Sequence, residues 1–290
     1  MKRTGFLIAT LIFCTVTVTI IALYIAGSKL SAPVHKSVGH PPKDLNAEKI
    51  SFVSAGGKSI KGWLVRSHKQ WGNVVLMHGI RGDRRSMAGR AKFLHANGYS
   101  VLLFDFQAHG ESEGDHITFG CSESRDARAA VSFMRSEYPL QPVAVIGQSL
   151  GAASCLIGDS PINADTLILE SVYPTIEEAV ANRLEIYLGK FGRCLTKILI
   201  VQLQWRFDID PGKLRPIEGI KKIRCPVLIA GGGADLRTTL SETKRIYEAA
   251  PKPKELWIIQ NAGHADLYSF AKQEYEERIL GFLKKYLKTR

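Results

Sequence analysis

The chain divides by its pattern of hydrophobic and polar positions into three parts. Residues Phe6 to Ala26 form a 21-residue apolar run without a single charge. As an α-helix rising 1.5 Å per residue, such a run extends about 31 Å, the thickness of a bilayer's hydrocarbon core. Residues 28–47 are polar and basic and carry Pro33, Pro41 and Pro42, the composition of a linker. From residue 48 onward, short apolar runs alternate with longer amphipathic stretches. The short runs predict strands over 48–54, 59–66, 73–77, 100–105, 142–146, 165–169, 226–230 and 255–260. The first two alternate apolar and polar residues, as an edge hairpin does, with Ala55-Gly56-Gly57-Lys58 as the turn. The later ones are continuously apolar, the pattern of strands covered on both faces.

Helical periodicity predicts helices over 84–97, 122–137, 149–158, 238–250 and 268–288. Strand–helix alternation predicts an α/β domain over 48–290, its eight-stranded sheet mostly parallel, with helices on both faces. Residues 171–215 break the rhythm with two helical patterns and no strand, and the second, Cys194 to Trp205, is strongly apolar. An insertion between two strands falls over the C-terminal edge of the sheet, where open α/β sheets bind ligands; it is read as a helical lid.

Flanking charges refine the first segment. Lys2 and Arg3 precede the run and Lys29 follows it. A signal peptide has a shorter apolar core of about 7–15 residues, although Ala26-Gly27-Ser28 would serve as a cleavage site. Residues 1–27 are therefore expected to be a retained single-pass membrane anchor, with a cleaved signal or a buried core helix as the competing readings. Lys2 and Arg3 favour an extracytoplasmic domain, while Lys29, Lys36 and Lys43 pull the other way.

The 290 residues carry a net charge of +12. No zinc-finger spacing, RNP motif or aromatic-interleaved basic stretch accompanies that charge, so no nucleic-acid partner is expected. The C-terminal cluster Lys284, Lys285, Lys288 and Arg290 reads as cations suiting a helix end. Five cysteines (Cys14, Cys121, Cys155, Cys194 and Cys225) show neither a CxxC spacing nor paired histidines, so neither a metal nor any other cofactor is implied.

The candidate chemistry begins at Gly147-Gln148-Ser149-Leu150-Gly151, a G-x-S-x-G match. A predicted strand runs into it and small residues start a helix after it, the strand–turn–helix context of a nucleophile elbow. Glycines at 147 and 151 let the chain turn sharply enough to present the Ser149 hydroxyl. His78-Gly79-Ile80 follows an earlier strand. The backbone N–H groups of Ile80 and Leu150 are the expected oxyanion donors, with His78 and Gly79 shaping that loop. A serine hydroxyl needs a base. Of eight histidines, His264 stands best, in the loop after the last predicted strand. The acid is expected between serine and histidine in chain order: Asp235, after the Gly231-Gly232-Gly233 run, with Glu170 as its rival. The three glycines lack the spacing of a dinucleotide-binding fingerprint.

Taken together, His78-Gly79, Asp105 with His109-Gly110-Glu111-Ser112, Gly147 to Gly151, Gly231 to Asp235, and Gly263-His264 resemble the α/β-hydrolase superfamily. More narrowly, the chain is similar to serine aminopeptidase-like bacterial hydrolases, some of them membrane-anchored, over about residues 48–288. The resemblance implies the α/β-hydrolase fold and a Ser149–Asp235–His264 triad. It implies a serine hydrolase acting on carboxylic esters, with acyl or lipid-like esters and thioesters among the candidate substrates. A peptidase on the same triad and a membrane-anchored binding protein with a vestigial site are the alternatives. Relatives using aspartate as nucleophile are disfavoured by Ser149. One departure stands out: relatives often carry arginine where this chain has Gln107, so a salt bridge to Asp105 or a substrate contact is expected to be missing.

Overall fold

The computed structural model describes residues 2–69 and 71–287; Lys288 and Arg290 of the basic C-terminal cluster lie outside these. The chain opens with α1 (Lys2–Ser31), followed by β1 (Val34–His35), β2 (Glu48–Val53), β3 (Ser59–Val65) and β4 (Asn73–Met77). A 3-10 turn at Arg84–Met87 leads into α2 (Ala88–Ala96), then β5 (Ser100–Phe104), β6 (His109–Gly110), α3 (Glu123–Glu137), β7 (Val143–Gln148) and α4 (Leu150–Leu156). After β8 (Thr166–Glu170) come α5 (Ile176–Leu188), α6 (Thr196–Phe207) and α7 (Pro216–Ile220). The chain closes with β9 (Val227–Gly232), α8 (Leu240–Ala249), β10 (Lys254–Ile259), α9 (Leu267–Phe270) and α10 (Lys272–Tyr286).

Eight strands pair in the order β10-β9-β8-β7-β4-β5-β3-β2. All neighbours are parallel except the hairpin strand β3, which runs antiparallel to both β2 and β5. This is the α/β-hydrolase fold, with a mixed sheet whose antiparallel part is the edge hairpin expected from the 2-residue alternation. Successive strand residues serve opposite faces. Val75 and Met77 join one buried cluster with α3 and α4 residues, while Val74 and Leu76 join a second with α2 and α10 residues. That is why these strands read as continuous apolar runs. Beside β4 the strand order reverses, because β5 lies on one side and β7 on the other. Such a switch point leaves a crevice at the C-terminal strand ends, where a site can form.

α1 runs through Arg3–Ser31 as the single helix, among the described residues, long and apolar enough to cross a membrane. The hydroxyls of Thr10, Thr15, Thr17 and Thr19 each bond back to the carbonyl four residues earlier, so none of these groups depends on water.

The stretch read as a linker is not free. α1 continues to Ser31, and Ser31 O accepts from Ile117 N–H at 2.9 Å. β1 pairs in parallel with β6, Val34 opposite His109. Val38 and Gly39 N–H donate to the Glu111 carboxylate at 3.0 and 2.9 Å. A two-residue strand has no periodicity to read, so the pattern could not reveal this docking.

The insertion is helical, as expected. α5 begins at a Thr175 cap whose hydroxyl accepts from Glu178 N–H, and α6 follows a 3-10 segment at Lys190–Leu195. Ile200 and Leu203 of α6 pack with Ile176 and Ala179 in the core. The outer edge of α6 meets α1: Gln202 Nε2 donates to Leu23 O at 3.1 Å, and the Arg206 guanidinium lies 5.1 Å from the Tyr24 ring centre.

Candidate active site

β7 ends at Gln148, and the next residue turns the chain abruptly. Ser149 sits at φ 50, ψ −105, a left-handed conformation that an L-residue adopts at a cost of about 1–3 kcal/mol. The strain is held from both sides. Ser149 N–H donates to Glu170 O at 2.8 Å, and Ser149 O accepts from Ala153 N–H at 2.9 Å. A Cβ on Gly147 would come within 2.6 Å of Ala152 N, and one on Gly151 within 2.8 Å of the Met77 carbonyl carbon. Both positions therefore require glycine for space. The Ser149 residue is buried.

The loop after β4 lies against this turn. A Cβ on Gly79 would stand 3.9 Å from Ser149 Cβ, an ordinary contact, so Gly79 marks proximity and not a steric demand. Gly82 N–H closes a tight turn onto Gly79 O at 3.1 Å, which presents Ile80 at its tip. Two buried histidines brace the loop. His78 Nε2 accepts from Phe106 N–H at 3.1 Å while Nδ1–H donates to Gly79 O at 2.8 Å. His109 Nε2 accepts from Arg81 N–H at 3.1 Å while Nδ1–H donates to Gln107 O at 2.9 Å. Each ring must be neutral to serve as acceptor and donor at once. Burial, with His109 as a neighbour, pushes His78 down to about 3, and burial lowers His109 as well. His78 thus bonds within the loop after β4; the matching bonds of His109 are visible only in three dimensions.

On the far side of the crevice, His264 Nδ1–H donates to Asp235 Oδ2 at 2.8 Å. That leaves Nε2 as the acceptor. Asp235 Oδ1 accepts from Arg237 and Thr238 N–H at 2.8 and 2.9 Å, so its carboxylate, fully buried, is held by three donors. The glycine run makes the meeting possible: a Cβ on Gly232 would stand 2.8 Å from the Ala262 carbonyl carbon, and one on Gly233 3.0 Å from that of Gln260. The β9 and β10 loops approach too closely for any side chain. The Gln148 side-chain amide lies 3.5 Å from Ala265 O, so the histidine loop borders the elbow.

Glu170, the rival acid, is committed elsewhere. Its carboxylate is fully buried between Arg90, at 2.7 Å, and the Tyr275 hydroxyl. Arg90 Nη2 also reaches Asp266 Oδ1 at 2.6 Å, two residues beyond His264. Sequence reasoning missed Arg90, because nothing in an isolated helical arginine announces partners 80 and 185 residues away. Of the two gaps expected at Gln107, the missing salt bridge to Asp105 is corrected. Arg84 supplies the ion pair to Asp105, buried and bonded through both its backbone N–H (2.7 Å) and its guanidinium, and it binds Glu111 as well.

Among the described residues no cluster of His, Cys, Asp and Glu could hold a metal ion. The family model described as "Serine aminopeptidase, S33" matches residues 68–206, a span that contains Ser149 but ends before Asp235 and His264. The chain is 30% identical over 221 residues to the uncharacterized protein Rv2307c of Mycobacterium tuberculosis, covering 72% of this chain and 69% of that one. It is 29% identical over 206 residues to the lysophosphatidylserine lipase ABHD12 of Danio rerio, 67% of this chain and 51% of that one. Among solved structures, the Pyrococcus furiosus esterase Pf2001 superposes with a TM-score of 0.74 at 23% identity, over 89% of this chain and 98% of the other.

Proposed function

The chain belongs to the α/β-hydrolase superfamily, and from that premise we propose a membrane-anchored serine hydrolase that cleaves carboxylic esters. The observation that carries this reading is the His264–Asp235 hydrogen bond on two loops bordering the strained Ser149 turn. Ser149 Oγ attacks the ester carbonyl and its proton passes to His264 Nε2. Asp235 holds the tautomer that leaves Nε2 free and stabilises the imidazolium that forms. The tetrahedral oxyanion is held by the N–H groups of Ile80 and Leu150, each such donor contributing about 2.7–4 kcal/mol. The alcohol leaves with the His264 proton. Water, deprotonated by His264, then releases the acid and restores Ser149.

An apolar lid and an anchor long enough for a bilayer favour acyl or lipid-like esters as substrates. A lipase function among the curated relatives points the same way. Retention of α1 is favoured by the tertiary bond of Leu23 to α6, which cleavage after Ala26 would sever. No cofactor takes part in this scheme.

The test is labelling of the detergent-solubilised full chain with a fluorophosphonate. Wild type labels and Ser149→Ala does not; equal labelling refutes the nucleophile assignment. A panel of p-nitrophenyl esters of rising chain length beside aminoacyl-nitroanilides then separates esterase from aminopeptidase activity.

A further inference from the structure

We propose that the lid segment 186–207 is itself a membrane-contact surface, lying in the headgroup region of an anionic bilayer beside α1. The inference rests on α1 being the anchor, as read above.

Four observations meet here. First, the segment leaves large apolar side chains in solvent: Tyr187, Leu188, Phe191 at 88% exposure, Ile198, and Trp205 at 78%. Ile198 and Trp205 are seven residues apart on α6, so they share one stripe, while Leu199, Ile200 and Leu203 on other faces are buried. Secondly, residues 186–207 contain Lys190, Arg193, Lys197 and Arg206 and no aspartate or glutamate. Arg193 engages Glu185 from just outside the segment. Apolar and aromatic side chains mixed with cations are the composition of an interfacial helix, and, among the described residues, the exposed Lys190 and Lys197 are the free cations that an anionic surface would attract.

Thirdly, the segment is fixed to the end of the candidate span. Gln202 donates to Leu23 O, and its side chain fills the space left by Gly27, where a Cβ would stand 3.0 Å from Gln202 Cδ. Fourthly, Tyr24 of α1 stacks with Arg206, next to Trp205. Tyrosine and tryptophan favour the membrane–water interface. Tyr24 sets that level on α1; Phe207 meets the same guanidinium at 5.0 Å, and Trp205, adjacent in sequence to Arg206, is exposed. The exposed lid is thus continuous with the helix that enters the bilayer, and its charge complements acidic headgroups.

The test uses the full chain in vesicles of phosphatidylcholine with phosphatidylglycerol, with bromines on the acyl chains near the headgroup. Of the four tryptophans, Trp63 and Trp257 are buried. Trp71 is exposed but precedes β4, at the end of the sheet away from the site. We expect brominated lipid to quench a component of the emission that Trp205→Phe removes. Quenching is weaker in pure phosphatidylcholine, and Lys190→Gln with Lys197→Gln erases that lipid dependence. A chain that resists alkaline carbonate extraction while Trp205 answers only to aqueous iodide overturns the inference and leaves the anchor standing. Carbonate release with persistent lipid quenching supports the lid contact and refutes the anchor. Release without quenching overturns both.

Discussion

Replacement of Asp235 by asparagine separates the proposed triad from its alternatives, because the structure dictates which bonds survive. Asp235 accepts three hydrogen bonds: two from Arg237 and Thr238 N–H at 2.8 and 2.9 Å, and one from His264 Nδ1–H at 2.8 Å. An asparagine Oδ1 keeps the first two, so the loop stays folded. Its NH2 group then faces Nδ1, which must become the acceptor, and the proton moves to Nε2. His264 can no longer take the Ser149 proton. A wrong tautomer of this kind costs about 10⁴ in kcat, as in the serine-protease precedent, or about 5.5 kcal/mol at 1.36 kcal/mol per decade. The KM should hold, because no substrate contact is removed. The assay is steady-state hydrolysis of the best p-nitrophenyl ester by the detergent-solubilised full chain, with the unfolding midpoint measured on the same samples. Glu170→Gln is the counter-variant. Its carboxylate holds Arg90 and Tyr275, so it should lower stability far more than it disturbs the His264 tautomer. A kcat for Asp235→Asn within tenfold of wild type, at unchanged stability, refutes the assignment of Asp235 as the orienting acid.

Alanine at Gly147 or Gly151 should destabilise by about 1–3 kcal/mol and abolish fluorophosphonate labelling, since the new Cβ would overlap backbone atoms; Gly79→Ala, whose nearest contacts are ordinary ones at 3.8 Å, should keep both, as unfolding midpoints and labelling rates will show. His78 is held down to about 3 when folded and titrates near 6.5 when unfolded, so its protonation favours the unfolded chain. Its contribution is constant above pH 6.5 and unfavourable below, about 2 kcal/mol by pH 5. Denaturant unfolding of wild type minus His78→Gln, measured at pH 8 and pH 5, isolates that slope from Asp126, which burial pushes up to about 7 and whose effect has the opposite sign. Arg90→Met strands the buried Glu170 carboxylate and should cost about 3–5 kcal/mol in an unfolding assay.

The sheet was legible because its strands are buried on both faces and bounded by turn residues. Strand 73–77 matches to the residue, and the others lie within one or two positions. The candidate residues around Ser149 were legible because an elbow needs glycines at fixed offsets, and the Gly231–Gly233 run marked where two loops approach too closely for side chains. The bracing of the site was not. His109, Arg84 and Arg90 act through partners 28, 21 and 80 residues away. A single sequence carries no signal for such pairs. The docking of residues 33–39 was hidden for another reason: its bonds are mainly to backbone groups and to Glu111, which leave no side-chain pattern.

The bond from Gln202 to Leu23 has a consequence for how this chain can change over time. An anchor joined to its enzyme by a slack cord can be shed, lengthened or swapped at little cost. Here the last turns of α1 are part of the wall against which α6 rests, and Leu30 and Gly27 line the apolar cavity beneath it with Leu199 and Leu203. A secreted descendant shaved near residue 27 would leave Gln202 without its acceptor and open that cavity to water. On the anchored reading proposed above, freedom from the membrane would have to be acquired together with a rebuilt lid, so place of residence and shape of the cover would be inherited as one trait.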